Sequence, residues 1–211
     1  MQQFFTALFD AFKNTGLLEY FAVTMGILSV YYSRKENILV FPTGLLNTAI
    51  YIYLSYKNHL IGETSVNFYY TIMNIWGWVA WSRVNNDGES LKISASNQRE
   101  MIYQVCFFLL IAVTYYFAIT KLKTHFYSGA LPLPDAIASA AAFTAMWLMT
   151  KKKIENWYWW LLTNIMCMPI YFSKDMLMTV IQYLVFFIFA ILGLKEWRIK
   201  LKNAAIEKTV Y

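Results

Sequence analysis

Seven apolar runs, each close to the ~20 residues that an α-helix needs to cross a bilayer, divide this chain of 211 residues. They fall at about Leu17–Tyr32, Ile38–Tyr56, Thr64–Ser82, Met101–Thr120, Ala136–Thr150, Trp157–Phe172 and Met176–Leu194. Only 14% of the residues are charged and 59% are hydrophobic, against about 25% charged in a soluble domain. A water-facing surface could not cover so much apolar area, whereas lipid can. The expected fold is all-α and membrane-integral. The alanine-rich fifth run is short, which predicts a helix packed inside the bundle, where small residues allow close approach. Pro132 and Pro134 are expected to delay its start to Asp135, a suitable N-terminal cap. Before the first run, Met1 to Phe12 lacks a basic leader and carries Asp10. It reads as a short helix lying on the membrane surface rather than a signal peptide.

The basic residues fall between the runs and form no single stripe, so the net charge of +6 does not indicate nucleic acid. Counted on alternate sides, Lys and Arg divide 13 to 5. This bias places the side holding Arg34, Lys35, Arg83 and Lys151–Lys153 in the cytoplasm, with the N-terminus outside and the C-terminus inside. Cys106 and Cys167 lie inside apolar runs and imply no disulfide framework. His59 and His125 sit apart in polar connectors, and no metal-ligand spacing or cofactor motif occurs.

A shift of 117 residues aligns the two ends of the chain. Ser33-Arg34-Lys35 falls on Thr150-Lys151-Lys152, and Asn47 falls on Asn164. After one deleted residue, Gly77 and Trp81 fall on Gly193 and Trp197. Three spans per unit with a single linker span between give a 3+1+3 plan of two parallel triple-helix repeats, and such folds place substrate near the midplane between repeats. The expected divisions are 1–16 as an N-terminal segment, 17–82 as the first repeat, 83–134 as loop, linker helix and outer loop, 135–197 as the second repeat and 198–211 as a cytoplasmic tail.

Every acidic residue lies at a helix end, in a connector or in a tail. Coupled carriers usually need an ionisable group within the membrane, so downhill, uncoupled passage is expected. The polar groups at depth are amides and phenols: Asn47 and Tyr51 on the second run, Asn67, Tyr70 and Asn74 with Trp78 on the third, Asn164 on the sixth, and Gln182 and Tyr183 on the seventh. Unpaired in lipid, each amide costs several kcal/mol, so each must face another helix or a wet cavity. The set, drawn from both repeats with aromatics alongside, reads as a substrate cavity; the same amides could instead bond helices together. Aromatic faces attract a desolvated cation, and amides fix hydroxyls or a carboxamide, which suggests a small, flat, polar solute. Trp157, Trp159 and Trp160 read as an interfacial belt. A membrane enzyme is disfavoured, because no nucleophile–base pair or paired carboxylates lie at depth. A retinal protein is disfavoured too, because no lysine lies in mid-span.

Trp76-Gly77-Trp78-Val79-Ala80-Trp81-Ser82-Arg83, Glu155-Asn156-Trp157-Tyr158-Trp159-Trp160-Leu161-Leu162-Thr163-Asn164 and Gly193-Leu194-Lys195-Glu196-Trp197 together resemble the PnuC family of nicotinamide riboside transporters, over about Tyr20 to Arg198. The resemblance implies a SWEET-like fold in the bacterial inner membrane with a central vitamin site. It implies facilitated diffusion of nicotinamide riboside, trapped inside by a cytosolic kinase. Thiamine, carried by relatives in that family, is the alternative solute. The expected partners are the vitamin and membrane lipid, with a second copy of the chain left open.

Overall fold

The computed structural model describes residues 16–57, 61–84, 88, 90–121, 131–173 and 176–210, with the side chains at 61, 62, 178 and 207–210 excepted. The surface helix expected at Met1 to Phe12 and both histidines therefore lie outside the described residues. Among the described residues seven helices follow in order: α1 Leu17–Arg34, α2 Val40–Lys57, α3 Ile61–Ser82, α4 Gln98–Lys121, α5 Pro132–Thr150, α6 Asn156–Phe172 and α7 Leu177–Val210. Two boundaries differ from expectation. Helix α5 begins at Pro132, because a proline in the first turn gives up only an N–H that has no helical partner. Asp135 is thus inside the helix, and its carboxylate accepts a 2.7 Å bond from the Leu131 N–H. Helix α7 runs on to Val210, past the end of its apolar run at Leu194, because its charged extension has docking partners described below.

Helix α4 contains an apolar window of which only 11% is buried, so its side chains face lipid on most of its circumference. Helix α5 is the opposite. Its alanines pack against neighbours on every side, as their size permits.

The packing has a two-fold pattern. Within each triplet the middle helix touches both others, α2 in one and α6 in the other. Between triplets, α1 packs on α7 and α3 packs on α5. Exchanging α1, α2, α3 for α5, α6, α7 maps each contact onto another. Linker α4, which packs on α5, has no counterpart.

Side chains repeat this pattern at an offset of 116. The Phe41 ring stands edge-on to Trp81 at 5.0 Å, and Trp157 stands edge-on to Trp197 at 5.5 Å. Gly77 lies against Phe41 and Gly193 against Trp157; a Cβ at Gly193 would sit 2.5 Å from the Trp157 ring. Gly193→Ala is expected to destabilise the protein by about 1–3 kcal/mol through overpacking, read as a lowered thermal midpoint in detergent. Each tryptophan then reaches the other triplet. Trp81 Nε1 donates to the Thr150 carbonyl at 3.2 Å, and Trp197 Nε1 donates to the Ser33 carbonyl at 3.3 Å.

The residue just past the C-cap of α1 is Glu36, with φ 59°, and the one just past the C-cap of α5 is Lys152, with φ 50°. This is the left-handed cap position where glycine is usual. The two side chains meet across the pattern's axis at 2.8 Å. Lys200 adds a second 2.8 Å contact to Glu36, and Arg34 and Lys35 both reach Glu196 of α7. These pairs hold the extended α7 against the first triplet. Burial alone would raise the Glu36 pKa, but the hydrogen bonds and charges of Lys152 and Lys200 outweigh it and hold the carboxyl below its ordinary value. A depressed carboxylate contributes stability at neutral pH that is lost as pH falls through the folded-state pKa. The thermal midpoint should therefore drop on acidification below about pH 4, near the carboxylate range, and Glu36→Gln should flatten that dependence.

Candidate functional site

Between the triplets lies a cavity of about 160 Å³, roughly ten times the space one water requires. Helix α6 turns Trp157, Trp160, Thr163 and Asn164 toward it, a spacing that keeps all four on one helical face. From across the axis α2 offers Gly44, Asn47 and Thr48, and α1 offers Ser29 and Ser33. Helix α3 supplies Tyr70 and Asn74, α5 Met146 and Met149, and α7 Tyr183 and Phe186. No charged side chain is among its lining residues.

Equivalent positions line both sides, but their chemistry differs. The offset of 116 pairs Gly44 with Trp160, Tyr70 with Phe186, Asn74 with Ala190, Thr48 with Asn164 and Asn47 with Thr163, and all ten residues face the cavity. The sequence alignment of Asn47 with Asn164 is therefore one residue out of register with the packing. Helix α6 presents the aromatic pair Trp157 and Trp160 where α2 presents Gly44, Asn47 and Thr48, a shape suited to a solute with two unlike faces.

Most of the lining hydroxyls are already committed to their own or neighbouring helices. Ser29 donates to the Val40 carbonyl at 2.8 Å and Thr163 to the Trp159 carbonyl at 3.0 Å. Thr71 donates to Thr48 Oγ1 at 2.9 Å. Asn47 is committed as well, donating its amide to the Ala22 carbonyl at 2.7 Å. The helix-bonding alternative thus describes Asn47. Asn74 and Asn164 differ. They are 3% and 2% exposed, and among the described residues no hydrogen bond engages either amide. Trp157 Nε1 and Ser33 Oγ are also buried without a partner. Two buried polar atoms of cavity-lining residues are thus left unpaired, against the general rule that such groups are bonded, beside two amides that make no hydrogen bond.

Of the residues singled out in the sequence, the structure brings Asn47, Tyr70, Asn74, Asn164 and Tyr183 together here. It places four elsewhere. Tyr51 and Gln182 hydrogen-bond to each other away from the lining. Asn67 donates to the Glu63 carbonyl one turn back in its own helix, at 2.9 Å. Trp78 is 41% exposed, on the lipid side. Steps of four residues precess by about 40° around a helix. Tyr70 and Trp78 therefore lie on opposite sides of Asn74, and only the Tyr70 side faces inward.

Trp157 and Trp160 correct the interfacial-belt reading. Trp157 is 1% exposed and packs beneath Gly193, and Trp160 lines the cavity. Their three-residue spacing, continued by Thr163 and Asn164, was the available signal, and a belt position at a helix start masked it. Trp76 does face outward, at 59% exposure.

The family model described as nicotinamide mononucleotide transporter matches residues 16–199. The nicotinamide riboside transporter PnuC of Escherichia coli strain K12 is 23% identical over 193 residues, covering 82% of this chain and 81% of the relative. The riboflavin/roseoflavin transporter RibM of Streptomyces davaonensis is 19% identical over 177 residues, covering 82% and 80%. A solved structure, described as the crystal structure of the vitamin B3 transporter PnuC, superposes with a TM-score of 0.73 at 23% identity, covering 93% of this chain and 87% of that one. The fold and the family match across nearly the whole chain agree: it belongs to the nicotinamide mononucleotide transporter family.

Proposed function

We propose that this chain carries nicotinamide riboside across the bacterial inner membrane by facilitated diffusion. As a member of its family the chain is a multi-pass membrane transporter of a vitamin-type small molecule, not an enzyme. The observation that carries the finer reading is the pair of buried, unpaired atoms Trp157 Nε1 and Ser33 Oγ, with the unbonded amides of Asn74 and Asn164, around a cavity with no charged residue. Nicotinamide riboside has a carboxamide and ribose hydroxyls to pair with amides and an indole N–H. It also has a flat pyridinium cation to lie against the faces of Trp157 and Trp160. The substrate-binding set is then Asn74, Asn164, Trp157 and Trp160, with Tyr70 and Tyr183 closing the walls.

In this reading residues 17–82 and 135–197 are the moving units and 83–134 links them. Access alternates as they rock about the shared cavity. The lysine and arginine bias supports an outside N-terminus and a cytoplasmic C-terminus. A cytosolic kinase would make uptake irreversible by adding a charged phosphate.

The test is a binding titration of the purified protein against nicotinamide riboside, thiamine and riboflavin, followed by counterflow in proteoliposomes. Nicotinamide riboside is expected to bind and to exchange with no ion gradient imposed. Binding of thiamine or riboflavin alone sinks the choice of solute, and accumulation driven by a proton or sodium gradient sinks the uncoupled mechanism.

A further inference from the structure

A chain of hydrogen bonds runs beside the aromatic wall, on the flank of α6 turned toward linker α4. Trp159 Nε1 donates to Gln104 Oε1 of linker α4 at 3.3 Å. Gln104 Nε2 donates to Ser96 Oγ at 2.7 Å. The Ser96 hydroxyl and backbone N–H both donate to the carboxylate of Glu155, each at 2.8 Å. Glu155 immediately precedes α6. Gln104 is 2% exposed and Glu155 8%, while Ser96 and Trp159 are half-buried. The backbone reinforces it. Ser94 N–H donates to the Lys152 carbonyl at 3.1 Å, and Ile154 N–H donates to the Ser94 carbonyl at 3.0 Å. The Phe108 ring lies 4.9 Å from Trp159 and fixes its plane.

Among the described residues the first triplet has nothing equivalent. The offset of 116 places Glu155 on Leu39, which is 44% exposed, and no linker helix packs on α1 as α4 packs on α5. The clamp is therefore built only where the cavity's aromatic wall is built. Trp159 lies about 200° around the helix from Trp157 and about 100° from Trp160, so it serves as a handle on the flank of the helix. A turn of about 20° in α6 would sweep ring atoms at its outer radius by about 2 Å.

We infer that Gln104, with Ser96 and Glu155, is a positioning residue: acting through Trp159, it fixes the rotation of the start of α6, and so sets the affinity of the Trp157–Trp160 wall for a flat solute. This inference rests on the proposed function, and its test separates the two. Gln104→Leu keeps the side-chain bulk and removes both bonds. Trp159→Phe keeps the ring against Phe108 and removes the N–H. Fluorine NMR of fluorotryptophan-labelled protein, with Trp157 and Trp160 assigned by substitution, reads the wall without ligand. Calorimetry at a temperature well below each variant's thermal midpoint reads nicotinamide riboside affinity.

Both variants should shift or split the Trp157 and Trp160 resonances. Each should weaken binding about tenfold, and the double variant should be no weaker than the worse single, as for residues acting in one network. A merely structural role would lower the thermal midpoint and leave resonances and affinity alone, which overturns the inference. Altered resonances in a protein whose wild type binds no nicotinamide riboside would uphold the clamp and sink the solute.

Discussion

Asn164→Leu is expected to weaken nicotinamide riboside binding about 100-fold while leaving the thermal midpoint unchanged or raised. The reasoning is one of partners. The Asn164 amide is 2% exposed and bonded to nothing among the described residues, so the fold loses no hydrogen bond when it is replaced by an apolar group of similar size. A bound solute loses a donor and an acceptor and keeps its own buried polar groups unpaired, at about 1–3 kcal/mol for each. Asn47→Leu should behave in the opposite sense. It removes the 2.7 Å bond to the Ala22 carbonyl, which costs about 1 kcal/mol of stability, and it changes affinity less. Calorimetric titration and thermal unfolding on the same two samples check the pair. If Asn164→Leu binds normally, the cavity is not the site.

Lys152→Met should be the most destabilising single change at the loop end of the bundle. The Lys152 side chain is 8% exposed and that of Glu36 21%, and the ammonium also lies 4.4 Å above the Trp81 ring. Removing one member of a buried pair costs about 3–5 kcal/mol, because the other charge is stranded. Lys200 still reaches Glu36 from the solvent side, which places the expected loss at about 3 kcal/mol or slightly less. Adding Glu36→Gln should recover part of it, since the carboxylate left with Lys200 as its remaining partner is then gone. Thermal unfolding of the two singles and the double closes the cycle. Additive losses would mean that the contact carries no coupling.

The helices were legible because lipid demands length and apolarity, and both are written locally in the sequence. The exceptions came where tertiary partners decide. Helix α7 continues past its apolar run because Glu196 and Lys200 find Arg34, Lys35 and Glu36 across the axis, and Trp197 is fully buried against Trp157. Nothing within the run itself announces those partners. The site was half legible. Amides at depth were the right chemistry to seek, since each must be paired or wet. Spacing alone left open which flank of Asn74 faces inward, so it favoured Trp78 as readily as Tyr70. It also aligned Asn47 with Asn164, when the ring and cap packing sets Asn164 opposite Thr48. Trp157 was hidden because a tryptophan at a helix start has two good places to be, and only the glycine on the facing helix distinguishes them.

The meeting of Glu36 and Lys152 bears on ancestry. Any residue at that cap would, in an assembly of two identical three-helix chains, confront its own copy across the dyad. A carboxylate would then face a carboxylate, or an ammonium an ammonium. Joining both halves in one polypeptide frees the two copies to take opposite signs. A separate three-helix ancestor would have needed an uncharged residue there, with glycine the easiest for the backbone.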